Sequence, residues 1–306
     1  MNGRVLLLAN PRHPDDAALH AAVELARWQR RALHALLLRD TAALRGAALE
    51  RWMEVRRHGG QQRPLREKSL QTLLLAETDH YRQLLQRQAE AAGLRVTIAV
   101  QDWPAAHRLS LSASLSRGFD PGDMVVSGPG LGVSLQRRGH AGLAALLRDC
   151  AVDRLLWAST RHLPRGADGR IVALIKAPAS CHDPTSADLR RSAACLRVAQ
   201  ELAHRHQRLI SVLLLDQPAA AGAEQSANVA TERLSAWIGT QLDPESTGLR
   251  LRTLPALGSA ALAACVRIER GIELVVDRTL LLEHPALITA SGARLELPVT
   301  VVDCAA

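Results

Sequence analysis

Glu24–Leu38 reads ELARWQRRALHALLL, and Glu201–Leu215 reads ELAHRHQRLISVLLL. Glu-Leu-Ala opens both stretches, an arginine follows at Arg31 and Arg208, Leu33 is matched by Ile210, and Leu36–Leu38 by Leu213–Leu215. The offset is 177 residues throughout. Solenoid units repeat every 20–50 residues or so. A period this long instead points to two copies of a whole domain in one chain. The 306 residues hold two domains of about 150 residues each, a common domain size.

The sequence around the repeat alternates short apolar runs with helical patterns. Val5–Ala9 is a strand stopped by Asn10-Pro11, and Asp15 or Asp16 caps a helix that runs to about Arg30. Leu33–Leu38 is the next strand. Ala42–Ala92 reads as long and mostly helical, broken at Gly59-Gly60 and Pro64. Strands at Leu94–Val100, Asp123–Val126 and Arg154–Ala158 follow, with helices at Ala105–Ser116 and Gly142–Asp149 between them. The second half repeats the order. Its strands are Ile171–Ile175, Leu209–Leu215, Leu249–Thr253, Glu273–Val276 and Val299–Val302. Its helices are Asp188–His206, Asn228–Leu242 and Ala260–Arg270, with a weak one near Pro285–Ala290. Strands joined through helices need crossover connections, so the fold class is α/β. The expected architecture is two tandem five-stranded, mainly parallel sheets with helices on both faces, Rossmann-like in kind. The expected division is a first domain at 1–162, a linker at 163–168 that contains Pro164 and Gly166, and a second domain at 169–306.

Charge separates the halves. Residues 1–167 carry 24 Lys/Arg against 15 Asp/Glu, and residues 168–306 carry 14 against 15, so the net +8 belongs to the first half. The basic residues are densest from Arg45 to Lys68. An Arg-rich solvated surface explains them more simply than a phosphate tract. Aromatic residues are 2% of the chain, too few for a base-stacking platform, so nucleic acid is not an expected partner. Cys150, Cys181, Cys195, Cys265 and Cys304 form no C-x-x-C pair and no zinc spacing. Such a set suits a reducing, cytoplasmic setting, with the thiols acting mostly as small hydrophobes. No apolar run approaches the roughly 18 residues of a membrane span, and the N-terminal run is too short for a signal peptide.

The ordered set resembles the universal stress protein superfamily. The resemblance rests on Val5–Asn10 with the following helix and strand, on Asp123-Met124-Val125-Val126-Ser127-Gly128, and on Leu147-Arg148-Asp149-Cys150 running into Leu155-Leu156-Trp157. Asn10-Pro11 with Asp15-Asp16, together with the doubled layout, is most similar to the tandem E-type members. The resemblance implies two five-stranded α/β domains that pack within one chain as single-domain members pack in a dimer, with Arg154–Ala158 and Val299–Val302 near that contact. It leaves further association into a homo-oligomer open.

The resemblance also implies a place for an adenine nucleotide. ATP-binding members carry G-x2-G-x9-G after the fourth strand and an Asp ending the first strand. This chain has Gly128, Gly130, Gly132 and Gly142, with one extra residue between the first two matched glycines. Leu143 replaces the hydroxyl residue that follows the last glycine, and Asn10 replaces the Asp. Bare backbone can approach phosphates and present successive N–H groups to them. Asn10, Gly128, Gly130, Gly132 and Gly142 are therefore the expected ATP-binding residues, and Arg137, Arg138 and His140 lie inside the loop. The second half has Asp277-Arg278-Thr279 at the corresponding place and no glycine until Gly292, so no ATP is expected there.

No Walker loop or G-x-S-x-G turn occurs. His204 and His206 lie about 200° apart around a helix, so they cannot chelate one metal ion. Cys181 and His182 read as an exposed polar turn, Glu24 and Glu201 as helix-surface residues, and the five tryptophans as core or interface packing. No nucleophile–base–orienter set emerges, so an enzyme is not the expected reading. Three functions remain open: a stress-response accessory protein that acts by binding a ligand or partner, with a degenerate nucleotide site in the first half; an ATP-binding protein with slow hydrolysis; and an RNA-associated protein using Arg45–Lys68.

Overall fold

Five consecutive apolar residues at Val5–Ala9 make a strand that must be covered on both faces. In the computed structural model of the chain they form β1, with all five residues buried. The structure describes residues 3–41, 44, 53–55, 62–64, 66–103, 122–128, 131, 147, 152–158, 169–176, 186–215, 234–242, 249–254, 259–284, 287 and 297–303. The chain divides into two compact units, Met1–Cys150 and Ala151–Ala306. The segment read as a linker, 163–168, lies outside the described residues, as do the helices read at 105–116 and most of 142–149.

In the first unit β1 leads through α1 (Asp16–Gln29) to β2 (Leu33–Asp40). Two short strands, β3 (Met53–Val55) and β4 (Gln62–Pro64), precede α2 (Glu67–Ala91), β5 (Val96–Trp103) and β6 (Met124–Ser127). The strand order is β6-β1-β2-β5, and every pair is parallel. The mostly helical reading of 42–92, with breaks at Gly59-Gly60 and Pro64, is corrected in part. β3 and β4 pair antiparallel, and the helix starts only at Glu67. Pro64 closes β4, where a residue without an N–H fits an edge strand and not a helix interior.

The second unit opens with β7 (Arg154–Trp157) and continues through β8 (Arg170–Lys176), α3 (Ala187–His206), β9 (Leu209–Leu215) and the helix α4 (residues 234–241). β10 (Arg250–Leu254), α5 (Ser259–Ile268), β11 (Gly271–Asp277), α6 (Arg278–Glu283) and β12 (Val299–Val302) complete it. The order is β10-β9-β8-β11-β12-β7. All pairs are parallel except β12–β7, which is antiparallel with Val299 opposite Trp157. β7, the fifth strand of the first copy by sequence, thus falls in the second unit beside the fifth strand of the second copy.

The doubling is visible in the backbone. Val5 pairs with Leu33 as Ile171 pairs with Ile210. Arg30 and Gln207, again 177 apart, both take a left-handed φ of 53° at a helix C-cap. The next N–H reaches back identically, Arg31 to the Ala26 carbonyl at 3.0 Å and Arg208 to the Ala203 carbonyl at 2.8 Å. The first strands are 166 apart and the second strands 177, so the second copy carries an insertion of 11 residues between them. Part of it lengthens the helix, 20 residues in α3 against 14 in α1.

Apolar strands and the inner faces of α1 and α3 form the cores. Leu7, Leu19, Leu33 and Leu37 in one unit and Ile171, Leu174, Leu196 and Leu213 in the other are fully buried. Each such side chain contributes about 1.5–3 kcal/mol on burial. Trp157 is buried and Trp237 packs on the second core, whereas Trp28 on α1 is 40% exposed.

Candidate functional site

Ligands of open parallel sheets sit beyond the carboxyl ends of the strands, where the crossovers on either side diverge. In the first unit that place lies between β1 and β6, because β2 flanks β1 on one side and β6 on the other. In the second unit it lies between β8 and β11.

In the first unit the chain leaves β1 through an Asx turn. Asn10 is buried; its Oδ1 accepts the Arg12 N–H at 3.0 Å, and its carbonyl accepts the His13 N–H at 3.0 Å. The side chain thus shapes the turn between β1 and α1. Asp15 follows as the N-cap of α1, its Oδ1 accepting the Ala18 N–H at 3.0 Å. Gly128, the first residue beyond β6, packs directly on this cap. A Cβ at that position would lie 2.2 Å from Asp15 Oδ2 and 3.2 Å from the Ala18 Cβ. A side chain there would have to displace the Asp15 carboxylate, so the close approach favours glycine. Ser127 is fully buried and donates from Oγ to the Leu8 carbonyl at 3.2 Å, which ties β6 to β1 below the turn. Leu131 donates its N–H to the Gly128 carbonyl at 3.0 Å, so the chain turns at once.

The structure therefore brings Asn10 and Gly128 to adjacent strand ends and adds Asp15, which the sequence marked only as a helix cap. Asp15 supplies the anion at the N-terminus of α1, so that helix end is already electrostatically complemented. Gly130, Gly132 and Gly142, with Arg137, Arg138 and His140, lie outside the described residues. On α2, Tyr81 is buried with its hydroxyl lacking a hydrogen-bond partner among the described residues. Burial pushes the phenol's pKa up, and the negative charges of Asp15 and Asp16 add to the shift.

The corresponding strand ends of the second unit carry a carboxyl where the first has Gly128. Asp277 ends β11 and caps α6, its Oδ1 accepting the Leu280 N–H at 3.1 Å, while its Oδ2 is buried and has no hydrogen-bond partner within the geometric limit among the described residues. Burial raises the Asp277 pKa, against the Leu280 N–H and the nearby Arg191. Arg191 donates to Asp188 at 2.7 Å and to Thr279 Oγ1 at 3.2 Å, and Lys176 faces Glu283 at 3.6 Å. The cavity left among these residues and Cys195 measures about 20 Å³. That is room for about one water molecule.

Other constellations stay apart. Among the described residues no group of His, Cys, Asp or Glu could hold a metal ion, and no helix is long and apolar enough to cross a membrane. His206 lies 4.0 Å from Glu273, which accepts the Thr300 hydroxyl at 2.6 Å. Glu201 pairs with Arg154 at 2.6 Å, and Glu24 is exposed, as helix-surface residues should be. Cys181 and His182 lie outside the described residues.

No protein-family model and no curated protein matches this sequence. Solved structures do match it over nearly its full length. A protein assigned as a universal stress protein from Pseudomonas aeruginosa UCBPP-PA14 is 16% identical with a TM-score of 0.60, covering 98% of this chain and 93% of that one. A functionally unknown protein from Pseudomonas aeruginosa PAO1 is 15% identical with a TM-score of 0.59, over 98% and 92%. A universal stress protein from Archaeoglobus fulgidus DSM 4304 is 9% identical with a TM-score of 0.55, over 99% and 97%. Doubled order, parallel register and full-length likeness agree: this chain has the fold of the universal stress proteins.

Proposed function

We propose that the protein is a cytoplasmic stress-response accessory protein that acts by binding, and that its first copy holds its adenine-nucleotide site. The carrying observation is the exchange of Gly128 for Asp277 at the switch points of the two copies. Gly128 leaves bare backbone at the end of β6, whereas Asp277 fills the matched place with a buried carboxyl that caps α6. Successive N–H groups of bare backbone can face phosphates at the first place, whereas at the second the Asp277 side chain takes the position and caps α6.

In this reading Gly128, Gly130, Gly132 and Gly142 present N–H groups to the phosphates, and the Asn10 turn sets the height of the crevice floor. Asp15 already occupies the N-terminus of α1, so the phosphates lie over the glycine loop. The protein contributes binding and no fast chemistry, since no activated nucleophile or base stands near Gly128 among the described residues. Isothermal titration with ATP and Mg²⁺ tests this. Binding that is lost in Gly130→Asp, with the thermal unfolding midpoint unchanged, supports it. Silence up to millimolar ATP removes it.

A further inference from the structure

A strand at the edge of a sheet presents backbone N–H and C=O groups that no neighbour pairs, and a long plain edge is a template for another strand. In the first unit that strand is β5. It pairs with β2 in parallel and without a break, from Val96 opposite Leu33 to Trp103 opposite Asp40. Among the described residues no strand lies along its other side. Proteins keep such edges single by shortness, proline, bulges or charge. β10, the matching edge of the second unit, uses two of these devices. It has five residues, and Arg250 and Arg252 stand on it, 62% and 45% exposed. β5 has eight residues, no proline, no bulge and no charged side chain before Asp102.

The two faces of β5 differ. Val96, Ile98 and Val100 share a face with the buried Leu33, Ala35 and Leu37 of β2 and are themselves half-buried. Thr97 and Ala99 on the other face are exposed. The half-buried valines and isoleucine leave apolar surface at the edge that only a further strand would cover.

The sequence of β5 is complementary to itself. Turned about a two-fold axis at Ala99, an antiparallel second copy brings Ile98 opposite Val100, Thr97 opposite Gln101 and Ala99 opposite Ala99. Directly opposite residues of an antiparallel pair share a face. Apolar side chains therefore meet on the half-buried face, and polar or small ones on the exposed face. Val96 falls opposite Asp102, whose carboxylate is held by Arg39 at 2.6 Å. The ends also complement each other in charge. Arg95 is exposed just before the strand, and Asp102 is 56% exposed near its other end. Antiparallel pairing sets each Arg95 next to the Asp102 of the other copy.

We propose that the protein forms a two-fold dimer by antiparallel pairing of β5 with β5, centred on Ala99, which continues the sheet of the first unit into that of a second copy. A contact of this kind is isologous and closes at two chains. The test is sedimentation equilibrium of the full chain over about 1–100 µM, a range that captures a micromolar Kd. It should report a monomer–dimer equilibrium. Ala99→Lys changes an exposed side chain, sets two like charges directly opposite, and should raise the dimer Kd about fivefold. Ala99→Cys should lock the dimer. Opposite Cα atoms of antiparallel strands lie about 4.5–5.5 Å apart, within disulfide reach. Oxidised glutathione should therefore join the two introduced thiols, as peptide masses would show. Thr253→Lys, on β10, should leave the dimer unchanged. A chain that stays monomeric at about 100 µM overturns the proposal. So does a dimer that Ala99→Lys leaves intact, that Thr253→Lys abolishes, or whose introduced thiols stay unlinked.

Discussion

Asp277 stands in the second copy where Gly128 stands in the first. Val126 pairs with Leu7 two residues before Gly128, and Val275 pairs with Ala173 two residues before Asp277. The two positions share a register and differ in what they do. Gly128 lets β6 end against the cap of α1; Asp277 is itself the cap of α6.

The contact between Gly128 and Asp15 is steric, so it should appear as coupling. Asp15→Ala removes the N-cap and should cost about 1 kcal/mol. Gly128→Ala drives a methyl into that carboxylate and should cost about 1–3 kcal/mol, as overpacking does. With Asp15 shortened the methyl has room, so the double variant should be more stable than the sum of the two losses implies. Urea midpoints of the four proteins measure this. Additive losses would show that the two residues do not meet.

Arg30 ends α1 in the left-handed region, where a side chain is strained and glycine is not. Arg30→Gly should stabilise the protein by about 0.5–1 kcal/mol, the strain of a non-glycine residue there less the added freedom of the unfolded chain. A lower denaturation midpoint would contradict this.

Asp123 is fully buried against Arg4. Asp123→Ala leaves that guanidinium without its acceptor at the start of β1 and should cost about 3 kcal/mol. A loss below about 1 kcal/mol would place the pair among surface ion pairs instead.

Stability should depend on pH through Glu273 and His206. Burial raises the Glu273 pKa from 4.5, against the hydrogen bond from Thr300. Folding then favours the protonated carboxyl, so stability declines as pH rises from 4.5 through the folded value. Glu273→Gln should flatten that decline. Burial, followed by Arg205 and Arg208, lowers the His206 pKa from 6.5. The unfolded chain then binds the proton more tightly, so stability also declines as pH falls below 6.5. His206→Gln should flatten this acid-side loss. Thermal midpoints between about pH 4 and pH 8 separate the two.

The repeat, the β1–α1–β2 order and its second copy were legible because continuous apolar runs, an Asp cap and period-3.6 helices carry strong local signals. β3 and β4 were not. Three-residue strands, Met53-Glu54-Val55 and Gln62-Arg63-Pro64, are too short for an alternation to be read. α6 was missed although Asp277, three residues before Leu280, is a readable cap. The antiparallel direction of β7 is set by its partner β12 and is not written in four residues.

Hydrogen–deuterium exchange with and without ATP and Mg²⁺ tests the asymmetry of the two copies most directly. The account predicts slowed exchange in peptides spanning Asn10–Ala18 and Ser127–Leu131, and no change across Asp277–Glu283. Protection across Asp277–Glu283, or none at either switch point, would contradict it.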